Sequence, residues 1–183
     1  MPFKFENLST PRLNLRKFEY GDINFVYGHF SNPQVCEYQL DNEPVKTLEE
    51  AEEIVFWAND ISDNPDHHRW ILELKVHKIS IGTCGFHRWD KQNRIAEIGY
   101  DLSPEYWKNG YMHEALKTII KYGFENMQLN RIEAFIYTEN TSSLNLLYKL
   151  GFQKEGLIRD KHLFRGEFYD HYCLSLLKKD SIE

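Results

Sequence analysis

Between residues 94 and 125 a regular strand pattern breaks abruptly into a helix, and no other stretch restricts the fold as tightly. In "RIAEIGYDLS" Ala96, Ile98, Tyr100 and Leu102 alternate with Glu97, Gly99 and Asp101, the period-two pattern of a strand. Pro104, Tyr106 and Trp107 end it, and Lys108-Asn109-Gly110 makes a tight turn. "YMHEALKTIIKYGFENM" then places Ala115, Leu116, Ile119, Ile120 and Phe124 on one helical stripe. A helix entered through glycine exposes N–H groups that have no intrahelical acceptor. With the positive end of the helix dipole they suit an anion site, although a single glycine before a helix also fits an ordinary strand-to-helix turn, which by itself is the commoner case. Gly110 lets a phosphate approach the backbone and takes positive φ at little cost, and Lys108 adds a charge at the rim. Neither GxxxxGK[ST] nor GxGxxG is present, and Lys117 stands where HExxH needs its second histidine.

The flanking segments set the architecture. "RLNLRKF" reads as a first strand, Leu13 to Phe18. A helix follows with Asp22 as its N-cap and Phe25, Val26 and Phe30 on one stripe, ended by "SNP". Thr47 and Glu50 form a capping box that opens a second helix, whose buried face is Leu48, Ala51, Ile54, Val55 and Ala58. "RWILELKV" and "SIGTCGFHRW" are neighbouring strands joined near His77-Lys78. "RIEAFIYTE" is a strand, "NTSSLNLLYKLGF" a short helix stopped by Gly151, and the tail two strands around Arg165-Gly166. The order is βααβββαβαββ, a mixed α/β domain. Without repeats or a long linker, residues 1–183 read as one domain.

A net charge of −6 disfavours nucleic acid as a partner, because phosphate contacts need a basic face. Cys36, Cys84 and Cys173 are odd in number and widely spaced, which fits neither a disulfide framework nor a CxxC metal site and suits a reducing compartment. No metal ligand set is expected. The opening residues carry no long apolar run, so the expectation is a cytoplasmic protein without a membrane partner. His67-His68 reads as a solvated turn in preference to a metal site, and Phe30, Tyr38 and Trp57 as core aromatics in preference to walls of an acceptor site. "FRGEFYDHY" suits either an acceptor pocket or a subunit contact.

The "EIGY" strand, "PEYW..GY..EAL", "EN..S" and "KLGF..EG..R" occur here in that order. Together they resemble the GNAT superfamily of acetyl-CoA-dependent N-acetyltransferases, most closely its RimJ/RimL branch, which acetylates N-terminal amines of ribosomal proteins. Spermidine acetyltransferases are near relatives. "TPRLNLRKF" and "FRGEFYDHYCLSLL" extend the resemblance over nearly the whole chain. It implies an α+β fold with a central, mostly antiparallel sheet, splayed between the fourth and fifth strands and flanked by helices. It also implies acetyl transfer to a primary amine (a protein N-terminus, a polyamine or another small amine) in a ternary complex. A homodimer is expected by the same analogy. A non-catalytic acyl-CoA-binding module on the same scaffold is the alternative.

The resemblance also assigns residues. Trp107, Lys108, Asn109, Gly110, Tyr111, Met112 and His113 would wrap the coenzyme A pyrophosphate. The family turn reads Q/R-x-x-G-x-G/A; here Trp107 takes the first position and Met112 stands where a small residue is usual. The backbone of Tyr100, Asp101 and Leu102 would hold the pantetheine arm. Asn140 suits an N-cap by type, and its family counterpart also contacts the cofactor. Glu97 lies on either a solvated face or a cleft. As a base in a desolvated cleft its pKa would rise. For the departing thiolate many relatives use a Tyr where Leu147 stands, and Tyr148 is turned about 100° away. Ser143, one turn before Leu147, is preferred, with Ser142 and Tyr148 in reserve.

Overall fold

A computed structural model describes residues 5–39, 43–59 and 67–181. Its strands are Leu8–Ser9 (β1), Leu13–Arg16 (β2), His68–Leu74 (β3), Ile79–Asp90 (β4), Ile95–Leu102 (β5), Arg131–Tyr137 (β6), Gln153–Phe164 (β7) and Glu167–Leu177 (β8). Its α-helices are Ile23–Phe30 (α1), Pro33–Cys36 (α2), Leu48–Asn59 (α3), Tyr111–Glu125 (α4) and Thr141–Lys149 (α5). The strands form one sheet in the order β1-β2-β3-β4-β5-β6-β8-β7, antiparallel except where β5 meets β6.

The join between β5 and β6, the fourth and fifth expected strands, positions the site. They pair only at Ile95↔Arg131, Ala96↔Ile132 and Glu97↔Glu133, although β5 runs on to Leu102 and β6 to Tyr137. Beyond Glu97 the sheet forks, as the resemblance implied.

Alternation along β3 divides the core into two layers. Trp70 and Leu72 join the larger cluster under α4 and α5, with Leu116, Ile119 and Leu147. Ile71 points the other way, to Phe18, Val26, Ala51 and Val55 beneath α1 and α3. Helix α3 starts just after Thr47 as expected, but only one half of the capping box forms, because the Glu50 carboxylate reaches one residue further back. Thr47 Oγ1 accepts from Glu50 N at 3.2 Å, and the Glu50 carboxylate accepts from Lys46 N at 2.7 Å. Leu48, expected on the buried face, is exposed at the first position of α3, and the buried stripe begins only at Ala51 and continues to Val55.

Other expectations shift for local reasons. The first strand stops at Arg16, two residues short of Phe18, and short β1 pairs with it at the sheet edge. Asp22 is not a side-chain cap for α1. It is buried and accepts from Arg16 Nη1 and Nη2 at 2.7 Å and from Glu19 N at 2.8 Å, so an ion pair claimed it first. "SNP" ends α1 and at once starts α2, with Asn32 Oδ1 accepting from Gln34 N at 2.9 Å. The tail hairpin turns at Arg165 and Gly166 as expected, both at positive φ.

Candidate active site

At the start of α4 the backbone does what the sequence foretold. Gly110 sits at φ 78°, ψ 5° and Lys108 at φ 62°, so the chain coils left-handed before entering the helix. Among the described residues no backbone carbonyl accepts from the amides of Lys108 through His113. The side chains around this cradle point away from it or brace it. Met112 is buried in the main core, so its bulk does not fill the cradle. Trp107 Nε1 donates to Leu102 O at 2.6 Å, and Asn109 Nδ2 donates to Trp107 O at 2.9 Å. Lys108 is exposed, while Tyr111 and His113 are half-buried.

The N-terminal segment supplies a brace that local sequence did not announce. Arg12 Nη1 donates to Asn109 O at 3.0 Å, Arg12 Nε to Glu114 at 2.7 Å, and its guanidinium stacks 4.3 Å over the Tyr111 ring. Thr10 also donates to Glu114. Burial would raise the Glu114 pKa, but Thr10 and Arg12 hold it below the ordinary value.

From the cradle the free edge of β5 leads to a second group. Tyr100 Oη and Ser143 Oγ are 2.5 Å apart, and Ser143 is buried at the start of α5. Asn140 caps α5, its Oδ1 accepting from Ser143 N at 3.1 Å. Burial pushes the Tyr100 pKa up, partly offset by Ser143, so the phenol keeps its proton. Tyr148 and Ser142 are exposed on the outer surface of α5, away from this group, whereas Ser143 and Asn140 line the cleft.

Glu97 does reach the cleft, at the fork itself. Burial would raise its pKa, but His87 Nε2 lies 2.9 Å from Oε1 and Arg88 Nη1 2.9 Å from Oε2. These partners outweigh the burial, and the pKa is lowered. The expected upward shift is therefore reversed, because two cationic or N–H donors face a carboxylate that alternation alone cannot pair. Asp101 behaves similarly, at greater depth. Its side chain is buried and accepts from Thr83 N at 3.0 Å, Thr83 Oγ1 at 2.7 Å, His29 Nε2 at 2.7 Å and Arg69. Burial raises its pKa, but these donors bring it down to about 2. Its side chain thus braces the wall, and only its backbone lies on the open edge.

Across the fork lies a cavity of about 1000 Å³. Phe30, Tyr38 and Trp57, read from sequence as core aromatics, line it, and Trp57 is 43% exposed. They come from α1, α3 and the segment after α2, which roof the cleft; Phe30 also packs against the core beneath α1 and α3, as the core reading expected. His67 and His68 also depart from a solvated turn. His68 is buried in β3, and His67 stacks on His87 at 5.8 Å and meets Trp57 at 4.5 Å. Of "FRGEFYDHY", His171 faces the cavity while Phe168 is 61% exposed. His87, Arg69, His29 and Arg12 carried no recognised signal in the sequence. The β4–β5 register sets His87 directly opposite Glu97, but it shifts between His87 and Asp90, so a count from the turn would not have found the pair.

The model of the acetyltransferase (GNAT) domain matches residues 12–153. The chain belongs to the GNAT family. Its sequence is 41% identical to N-acetyltransferase p20 of Bacillus licheniformis over 175 residues, 96% of this chain and 98% of p20. The fold is similar to spermidine N-acetyltransferase from Vibrio cholerae, solved with coenzyme A and spermine, with TM-score 0.81 and 25% identity over 92% of this chain and 97% of that one. Ribosomal-protein-S5-alanine acetyltransferase from Vibrio fischeri shares the fold alone, with TM-score 0.82 and 20% identity over 97% of this chain and all of the other. This GNAT protein is an N-acetyltransferase. Among its described residues no helix is long and apolar enough to cross a membrane.

Proposed function

We propose that this GNAT protein moves an acetyl group from acetyl-CoA to a primary amine, with both substrates held together in the forked cleft. The observation that carries the reading is the run of amides from Lys108 through His113, which no backbone carbonyl engages among the described residues. Such donors, at the N-terminus of the fifteen-residue α4, fit a diphosphate. The open edge of β5 beyond Glu97 fits the amide-bearing pantetheine arm, and ends beside Tyr100 and Ser143. The thioester supplies an acyl carbon already activated for attack. The protein's tasks are to orient it, free the amine of a proton and steady the departing sulfur. Ser143, with Tyr100 behind it, offers a hydroxyl for the last task, and Asn140 fixes the turn that presents it.

For the acceptor, the aromatic cavity with Glu50 and Glu53 on its α3 wall suits an amine attached to a longer cationic or peptide body. The names of the two Vibrio proteins, one for spermidine and one for a ribosomal N-terminus, support testing both classes. The decisive experiment assays thiol release from acetyl-CoA with spermidine and with peptides of varied first residue, alongside calorimetry with coenzyme A. Saturable release with one class is the expected result. Binding of coenzyme A without release from any amine would make the chain a binding module, and absence of binding would remove the reading altogether.

A further inference from the structure

Resting on that acetyl-transfer reading, we propose that His87 is the catalytic residue that takes the acceptor's proton, and that Glu97 is the positioning residue that sets its tautomer. His87 and Glu97 face each other across β4 and β5, and His87 Nε2 lies 2.9 Å from Glu97 Oε1. An ionised carboxylate only accepts hydrogen bonds, so Nε2 must carry the hydrogen. The neutral ring then has its lone pair on Nδ1. Glu97 itself is poorly placed to take a proton, since Arg88 occupies its other oxygen at 2.9 Å.

Gly99 shows where the Nδ1 edge of the ring lies. A Cβ built on Gly99 would sit 3.0 Å from His87 Cε1 and 3.4 Å from Nδ1. Gly99 belongs to the part of β5 beyond its pairing with β6, so that ring edge lies against the open fork. Any side chain at 99 would displace the imidazole, and glycine there keeps the ring at the cleft. The surrounding charges are defined. Arg69 Nη1 lies 3.4 Å from the same Cβ position and its guanidinium is tied to Asp101 and Thr83. Arg88 and Glu97 flank the ring, His67 stacks on it, and α3 adds Glu50 and Glu53 to the cavity wall.

The protons balance. Nδ1 of His87 takes one proton from the acceptor ammonium and releases it to water through the open cavity. The freed nitrogen forms the C–N bond as the C–S bond breaks, and its second proton goes to the leaving sulfur beside Ser143. The net change is ammonium plus thioester to amide, thiol and one proton.

Two measurements on the full chain test this. In the first, His87→Ala is assayed by thiol release with the spermidine or peptide acceptor that the wild type uses. General-base loss predicts a fall in kcat of about 10²–10⁴-fold with coenzyme A affinity unchanged. Added imidazole should restore part of the rate, which a merely structural role would not allow. His87→Gln should also lose the acid limb that His87 contributes to the kcat/KM profile. In the second, nitrogen-15 spectra of the histidine rings report the tautomer without any turnover. The expected state is Nε2–H in the wild type, altered in Glu97→Gln. A His87→Ala rate within threefold of wild type, or an Nδ1–H ring in the wild type, overturns the proton path while leaving acetyl transfer intact. Wild-type protein that fails to bind coenzyme A instead overturns the underlying reading, and this inference with it.

Discussion

At the Gly110 end of the cleft the open groups are main-chain amides, whereas at the Glu97 end they are side chains whose partners come from other strands and from α1. The first arrangement follows from a few consecutive residues: a strand stop, a left-handed turn and a helix start. The second exists only after β3, β4 and β5 are in register, because Glu97 needs His87 and Asp101 needs Arg69, Thr83 and His29. The backbone turn keeps its left-handed entry to α4 with Met112 and Trp107 at the positions where the family pattern has other residues.

Substitutions break this contrast to different degrees. The largest effect belongs to Asp101→Asn, which leaves Arg69 facing a neutral amide in a buried place and should cost about 3–5 kcal/mol, read as a lower Tm. The same carboxylate gives an acid signature. Its pKa is depressed from 3.8 to about 2 in the folded protein, so its contribution is full above the unfolded value and is lost as pH falls through about 2. Urea titrations at successive pH values should show that loss in the wild type and not in Asp101→Asn.

Next comes Gly99→Ala, whose methyl must push His87 aside. The ring must give by a few tenths of an ångström, which should lower kcat by roughly tenfold while coenzyme A affinity stays put. Gly110→Val reverses that pattern. A β-branched residue at φ 78° carries strain of roughly 1–3 kcal/mol, so coenzyme A affinity should fall at least about tenfold by calorimetry, with the sheet's circular dichroism unchanged. The smallest change is Arg12→Ala. Its guanidinium is partly exposed and braces the cradle from outside through Asn109 O, Tyr111 and Glu114, so affinity should drop a few-fold, on the order of one lost hydrogen bond. If Arg12→Ala proves worse than Gly110→Val, the cradle depends on side chains after all and the contrast fails.

What could be read from sequence follows the same division. Period-two and 3.6-residue patterns located the helices α1, α3, α4 and α5 and the strands β2 to β6, because one buried face leaves a local trace. Gly110 and the Asn140 cap were legible for that reason too. The Arg165-Gly166 turn marked the hairpin of β7, which buries no residue, and β8. The two-residue β1 is too short to show a period. Glu97 was placed on the correct face, yet the direction of its pKa came out reversed, since alternation says which way a side chain points and nothing about its neighbours. Phe30, Tyr38 and Trp57 look identical in sequence whether they fill a core or roof a cavity. Arg12 is remote from Asn109 along the chain, and only the folded β2–α4 contact joins them.

The three paired positions between β5 and β6 have a mechanical consequence. Past Glu97 each strand leans away with its inner rim of peptide groups unsewn, so a guest rich in amides can act as a substitute rung and close the seam. No lid has to swing for that to happen, and the guest itself becomes the stiffening member. Amide exchange along residues 98–102 should slow on binding of coenzyme A, while the already laced β3–β4 ladder should barely respond.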